Sequence, residues 1–369
     1  MKRLLPSFLT LGLLFSPFVL NAQANYRLPE AVTMEHNQIT VGVFPQVELI
    51  SVIQVIGSYR EALGFLMASD TSAYGAVVME HFKPFRNHPA VQMFDRLSLQ
   101  PGMLNFSAPS NIMLLADETL SLRTDIEPDE FVFKRAGGID SLKVLLGLVR
   151  DFAITTSFND FYSIHRDFYL EITGNSVDSM GPLNFISELE RFYGRSQRSY
   201  NIVLVPLYGH VGFGNSLLHS NGEREIFNTM GPRSIANDMP VFGDEDYLKR
   251  MIRHEFSHPF INPLTEKNWD YIRDYSGNYD SVPEAARKNM CGDWQECINE
   301  YVIRTVTTYL AYNDSADAGA REYEKESSRG VSLMDELLEQ IRRYESARET
   351  FPTFESFYPN ILKVFMDFN

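Results

Sequence analysis

The sequence predicts an α+β fold, mainly helical, with a small mixed sheet beside the helix that carries its one chemically distinctive motif. Three observations lead there. Apolar residues recur at helical spacing through most of the chain. Short β-type runs are confined to Gln38–Val43, Phe106–Arg123 and Asn201–Leu207. The run His254-Glu255-Phe256-Ser257-His258 lies in an amphipathic helical stretch. Hydrophobic residues make up 44% of the 369 positions, with 27 Phe and 18 Tyr, which supplies a large core and excludes wholesale disorder. Asp and Glu outnumber Lys and Arg by 48 to 33, a formal charge of -15. That balance argues against nucleic acid or an anionic membrane surface as the main partner.

Taken in order, residues 1–24 read as a signal peptide. Lys2 and Arg3 precede an apolar stretch from Leu4 to Leu20, and Ala22-Gln23-Ala24 has the small-x-small form of a processing site. The stretch is short and interrupted by Pro6 and Pro17, so an uncleaved anchor is the poorer reading. The expected product is exported (periplasmic, cell-surface or secreted), and no later segment reaches the length of a membrane span. Residues 25–199 read as an N-terminal, mainly helical region with a few strands, and 200–369 as the region that carries the His254–His258 motif, with C-terminal helices.

Within the first region the pattern predicts a strand at Gln38–Val43, then helical segments over Val47–Met67 and Tyr74–His81. One or two strands are expected in Phe106–Arg123, from Ile112–Leu115 and the alternation at Leu120 and Leu122. Helices follow over Asp140–Asp151, with Asp140 as N-cap, over Ser157–Phe168, and over Asn184–Tyr193, closed by Gly194. In the second region Asn201–Leu207 reads as a strand, and Pro206 disfavours a central place in a sheet. A loop with Gly209, Gly212 and Gly214 comes next, and the helix bearing His254 starts near Gly243-Asp244. A polar, Tyr-rich connection spans Asn268–Lys288. Asp293 and Glu296 form a capping box for a helix reaching about Tyr312. Asn313–Arg321 reads as a loop before two closing helices over 332–348 and 354–367. Cys291 and Cys297 are the only cysteines; a local disulfide fits an exported chain, and their spacing is poor for a metal knuckle.

The His254–His258 run needs a chemical account. Helix positions four apart lie about 40° apart around the axis, so both imidazoles share a face and can hold a single zinc. Glu255, about 60° from His258 by the same geometry, lies beside that metal and can take a proton from water without ligating. Pro259 cannot donate to the Glu255 carbonyl, so the helix should kink or stop there and the chain turn through Phe260-Ile261-Asn262-Pro263. Asn262, Pro263 and Leu264 exclude the extended three-histidine version of the motif.

A third ligand must come from elsewhere. Glu300 lies at the edge of the apolar arc of the helix after Asp293 and is the preferred candidate; Glu296, already committed to capping, Glu266 and Glu284 are the alternatives. Arg304, four residues after Glu300, can hold that carboxylate. Candidates for stabilising a developing oxyanion are Tyr271, Tyr275, Tyr279 and His210. If the strand at Asn201–Leu207 borders the cleft, its edge can pair with an extended peptide. The glycines after it either permit close approach or simply make turns.

His254–His258 with Asn299-Glu300 and Arg304 downstream resembles the gluzincin group of zinc metallopeptidases. More closely, the chain resembles a family of exported bacterial proteins classed as a domain of unknown function and regarded as peptidase-like. The likeness extends over Tyr74–Val91 with Phe82, Phe85, His88 and Pro89, over Leu145–Phe168, Val203–Leu207 and the Phe351-Pro352 to Pro359 segment. It implies a zincin-like metallopeptidase domain with zinc on His254, His258 and Glu300 and with Glu255 as base. Pro259 departs from the usual gluzincin pattern.

The expected function is therefore an exported zinc metallopeptidase acting on a peptide or protein. The alternatives are a zinc-dependent amide or ester hydrolase acting on a cell-envelope substrate, and a non-catalytic exported protein with a structural zinc site.

Overall fold

Asn37 and Gln38 both take positive φ, 46° and 70°, the geometry that closes a two-residue hairpin with the right twist. They join β1 (Val32–His36) to antiparallel β2 (Ile39–Val43). The computed structural model describes residues 25–67, 72–100, 103–182 and 184–368, so the expected leader, 1–24, lies outside the described residues.

Pro45 opens α1 (Pro45–Ile56) at a position where no amide hydrogen is needed. Every residue of α1 except Gln46 is buried, Glu48 among them. The Tyr74 hydroxyl donates to Glu48 Oε1 at 2.5 Å, Ser51 Oγ donates to Oε2 at 3.4 Å, and Tyr169 shares a 2.6 Å bond with Tyr74. Burial pushes the Glu48 carboxyl up to about 7, against the pull of those hydroxyls. The predicted helical run to Met67 is broken after Ile56: Gly57 caps α1, and the Asp95 carboxylate takes the Ser58 and Tyr59 amides.

Helices α2 (Ala73–Phe82) and α3 (Pro89–Ser98) follow. The strands expected in Phe106–Arg123 are not strands. Ala108–Leu114 is α4, and only an isolated bridge, Ala116 to Leu122, remains of the second. The helix is buried on most of its circumference, which removes the periodicity that distinguishes a helix from a strand. Helix α5 (Ile139–Thr155) starts from Gly138 at φ 99°, not from Asp140, which lies in the first turn. The single helix expected over Ser157–Phe168 divides at His165 into α6 (Phe158–Ile164) and α7 (Arg166–Ser179). In α8 (Phe185–Tyr193), Asn184 Oδ1 accepts from the Ser187 amide at 3.0 Å and Gly194 closes the helix at φ 66°.

Three further strands, β3 (Ser199–Leu204), β4 (Gly212–Leu218) and β5 (Arg224–Met230), complete a mixed sheet of order β1-β2-β3-β5-β4. β3 runs parallel to both β2 and β5, so it is central and has no free edge. Pro206 lies past its end and imposes nothing on it. The stretch read as a Gly-rich loop leads instead into β4, the edge strand, which pairs antiparallel with β5. β6 (Ser234–Ala236) and β7 (Met239–Val241) make a separate ribbon.

Asp244 caps α9 (Glu245–Glu255) by accepting from the Tyr247 amide at 2.9 Å. After a tight turn at Phe256 and Ser257, Pro259 sits in the first turn of α10 (His258–Lys267). Phe260–Pro263 therefore continues as helix and is not the sharp turn expected. α11 (Trp294–Asp314) begins with Asp293 accepting from the Glu296 amide at 2.8 Å, while the Glu296 carboxylate takes the Gly292 amide at 2.7 Å, one residue earlier than a reciprocal box requires. A disulfide joins Cys291 to Cys297 across this start.

Asn313–Arg321 is not a loop. Ser315 caps α12 (Ala316–Ser328), which folds back on α11. α13 (Met334–Ser346) and α14 (Phe354–Met366) close the chain. The architecture is α+β and mainly helical, with α9 and α10 packed on β4 and a hydrophobic cluster running from Leu28 to Phe368. Among the described residues, no helix is long and apolar enough to cross a membrane.

Candidate metal centre

Three helices deliver one donor each to a common point. His254 comes from α9, His258 from the first position of α10, and Glu300 from α11, with their ligand atoms all within 4.8 Å of one another. Glu300 Oε2 lies 3.7 Å from His254 Nε2, and its Oε1 lies 3.5 Å from His258 Nε2. The two rings are 5.0 Å apart and nearly perpendicular, at 84°. Glu255 Oε2 stands 3.9 Å from His258 Nε2. These groups and Arg304 border a cavity of about 500 Å³ whose wall includes Phe106, Phe213 and Asn289.

The convergence is set by packing around α9. Arg253, only 3% exposed, donates to both carboxylate oxygens of Glu188 on α8 and to both of Asp314 at the end of α11, over 2.7 to 3.0 Å. That four-bond clamp fixes the last turn of α9 against its neighbours. Pro259 leaves the Glu255 carbonyl without its usual helical donor, and that carbonyl is pressed against β4. A Cβ on Gly214 would lie 2.5 Å from it, and one on Gly212 would lie 2.4 Å from Met251 Cε. A side chain at Gly214 would push α9 away from the sheet, whereas one at Gly212 would have to displace the Met251 side chain. On the far side, the Thr265 hydroxyl bonds both Asn299 and Tyr358, tying α10 to α11 and α14 next to Glu300.

Each donor is also prepared electrostatically. Burial pushes His254 well below its ordinary value, with Arg304, His258, Lys325 and Arg329 adding to the effect, so it is a neutral ring with a lone pair to give. His258 Nδ1 bonds Asn262 Oδ1 at 3.3 Å, an acceptor suited to an Nδ1 proton, and its Nε2 is turned toward Glu300 Oε1 at 3.5 Å. Arg304 donates to Glu300 Oε2 at 2.9 Å and to Glu326 at 2.7 Å, and Glu326 in turn pairs with Lys325 and Arg329. Burial works against the Arg304 charge, but Glu300 and Glu326 more than offset it. Burial raises the Glu255 carboxyl; His258 lowers it, Glu300 raises it, and the Gly214 amide lowers it again.

Glu296 borders the same cavity, but its carboxylate is committed to the Gly292 amide. Tyr271, Tyr275, Tyr279 and His210 are not among the residues lining the cavity. Tyr271 and Tyr275 are exposed, and the Tyr279 hydroxyl donates to the Cys291 carbonyl at 3.3 Å. Sequence reasoning missed Arg253, Asn262 and Glu326. Only Asn262, one helical turn after His258, carried a local signal.

Asp125, His219 and Glu225 form a second group with the spacing to hold a cation. There the Arg123 guanidinium already bonds both carboxylates, at 2.7 to 3.1 Å, so a charged partner is built in.

Beside the triad runs β4, the edge strand of the sheet. The Val211 carbonyl accepts from Gly231 and the His219 amide donates to Glu223, so odd-numbered residues of β4 face β5. Gly212, Gly214 and Ser216 turn their backbone groups the other way. At the far end of that edge the Glu127 amide takes the Leu218 carbonyl.

The family described as Domain of unknown function (DUF4932) matches residues 39–364, and the chain belongs to it. Comparison with curated proteins and with solved structures finds no match.

Proposed function

We propose that this member of the family is an exported zinc-dependent metallopeptidase. The observation that carries the reading is the convergence of His254, His258 and Glu300, with the Glu255 carboxylate alongside, at an open cavity. Two imidazoles and one carboxylate are the donor set of a catalytic zinc site that keeps a position for water. Zinc held there supplies Lewis acidity, lowering the pKa of a water and polarising a carbonyl.

The rest of the chemistry belongs to the chain. Glu255, buried and with its carboxyl raised, accepts a proton from the attacking water and returns it to the leaving amine. Arg304 holds the Glu300 carboxylate in place and offsets its charge. Asn262 keeps His258 in the tautomer whose Nε2 faces the triad. A peptide substrate is supported by the outward backbone of Gly212 and Ser216, on either side of the Gly214 amide that Glu255 takes, an edge that can pair with an extended chain without reading its side chains. Export rests on the leader-like residues 1–24, and the Cys291–Cys297 bond fits an oxidising compartment.

The test is elemental analysis of the purified protein combined with hydrolysis of a broad peptide library. A single zinc per chain is expected, with Glu255→Gln retaining the metal while hydrolysis falls by about 10²- to 10⁴-fold. Zinc-replete protein that cleaves no peptide would refute the reading.

A further inference from the structure

A second cavity, of about 430 Å³, lies on the other side of α10 and shares no lining residue with the metal centre. His258 and Asn262 face the first cavity, whereas Pro259 and Pro263 face the second. Its floor is apolar and aromatic: Tyr193 stacks on Phe260 with centroids 4.3 Å apart, and Leu264 and Phe354 extend the surface. Two arginines, Arg195 and Arg224, line the same cavity.

Neither guanidinium has a carboxylate partner among the described residues. Arg195 donates to the Gly222 carbonyl at 2.7 Å, and Arg224, half-buried on β5, donates to Ser216 Oγ at 3.0 Å. A guanidinium carries five donor hydrogens, so most of this capacity is unspent. The one acid on the lining, Glu355, is taken by Lys267 at 2.7 Å. Burial and the like charge of Arg195 both pull Arg224 below its ordinary value, while Asp129 and Glu266 pull weakly the other way. In a chain with a formal charge of -15, the partly desolvated Arg224 beside the exposed Arg195, with no carboxylate bonded to either, favours an anion arriving from outside.

We infer that this cavity is a binding site for an organic carboxylate carried on an apolar body, its anionic end between Arg195 and Arg224 and its body on the Tyr193–Phe260 floor. Planar carboxylate suits the guanidinium fork, and the volume lies within the range of small-ligand pockets. The two sources of such a group are a free acid and the C-terminal residue of a peptide. The inference is independent of the hydrolytic reading, because it uses no residue of the triad.

Calorimetric titration of the metal-free full chain tests it. The probes are 3-phenylpropionate, its neutral amide, inorganic phosphate and the tripeptide Gly-Gly-Phe. Saturable binding of 3-phenylpropionate is expected, with the amide weaker by about tenfold or more and Arg224→Gln losing about ten- to a hundredfold. Arg195→Gln, at an exposed position that does not threaten folding, should lose affinity in the same direction. Tighter binding of Gly-Gly-Phe than of phenylpropionate assigns the site to peptide termini, and the reverse order assigns it to free acids. Equal binding of acid and amide, phosphate binding as tightly as phenylpropionate, or no loss in the Arg195 variant would overturn the inference.

Discussion

Replacing Glu48 by Gln isolates a single buried ionisation. The carboxyl lies within α1, 1% exposed, and burial raises its pKa from 4.5 to about 7. Between those values the folded chain holds a proton that the unfolded chain releases. The stabilisation linked to that proton is fully present below about pH 4.5 and is lost as pH rises through about 7. At about 1.4 kcal/mol per unit, the shift amounts to about 3 kcal/mol. Glutamine keeps the shape and an acceptor for the Tyr74 hydroxyl but cannot ionise. Urea unfolding of both proteins, with chelator present, from about pH 4 to about pH 8 measures the effect as a difference, in which every other titrating group cancels. The stability of the variant relative to the parent should climb by about 3 kcal/mol across that interval and level off above it. Parallel curves would mean that Glu48 carries its charge at no cost, and the burial argument would be wrong.

Three further outcomes follow from the geometry. Gly214→Ala places a methyl 2.5 Å from the Glu255 carbonyl and should destabilise the fold by about 1–3 kcal/mol, measured by thermal melting; an unchanged melt would show that α9 can retreat freely. Arg304→Met removes the bonds that orient Glu300, so zinc affinity should fall about 10- to 100-fold in competition with a chromophoric chelator; parental affinity would reduce Arg304 to a bystander. Replacing both Cys291 and Cys297 by Ser opens the loop that leads into α11 and should cost about 2 kcal/mol in urea unfolding. No loss would show that α11 starts in the same way without the link.

The convergence of His254, His258 and Glu300 was readable in advance because a ligand pair keeps a fixed local spacing and Glu300 lies at the edge of an apolar arc. Arg253 was not, since its meaning depends on Glu188 and Asp314, which are 65 and 61 residues away. β4 was obscured for a related reason: its glycines look like loop residues and are there because α9 needs the space. α4 and α12 failed differently. α4 is buried too fully to show a stripe. α12 opens with Ala316, Asp317, Ala318 and Gly319, small or polar residues with no apolar face to betray a helix. Pro206 misled because a prohibition that holds inside a strand says nothing two residues beyond its end.

The bend between α9 and α10 has a bearing on portability. Grafting His254–His258 onto an uninterrupted helix in another scaffold would transfer the letters without the corner, and with only two of the donors. Here each donor rides on its own helix, so the spacing of the three candidate ligands is a property of how three helices are bolted together. Loosening a distant bolt, such as the one at Arg253, should therefore register first in that spacing, before any general loss of shape.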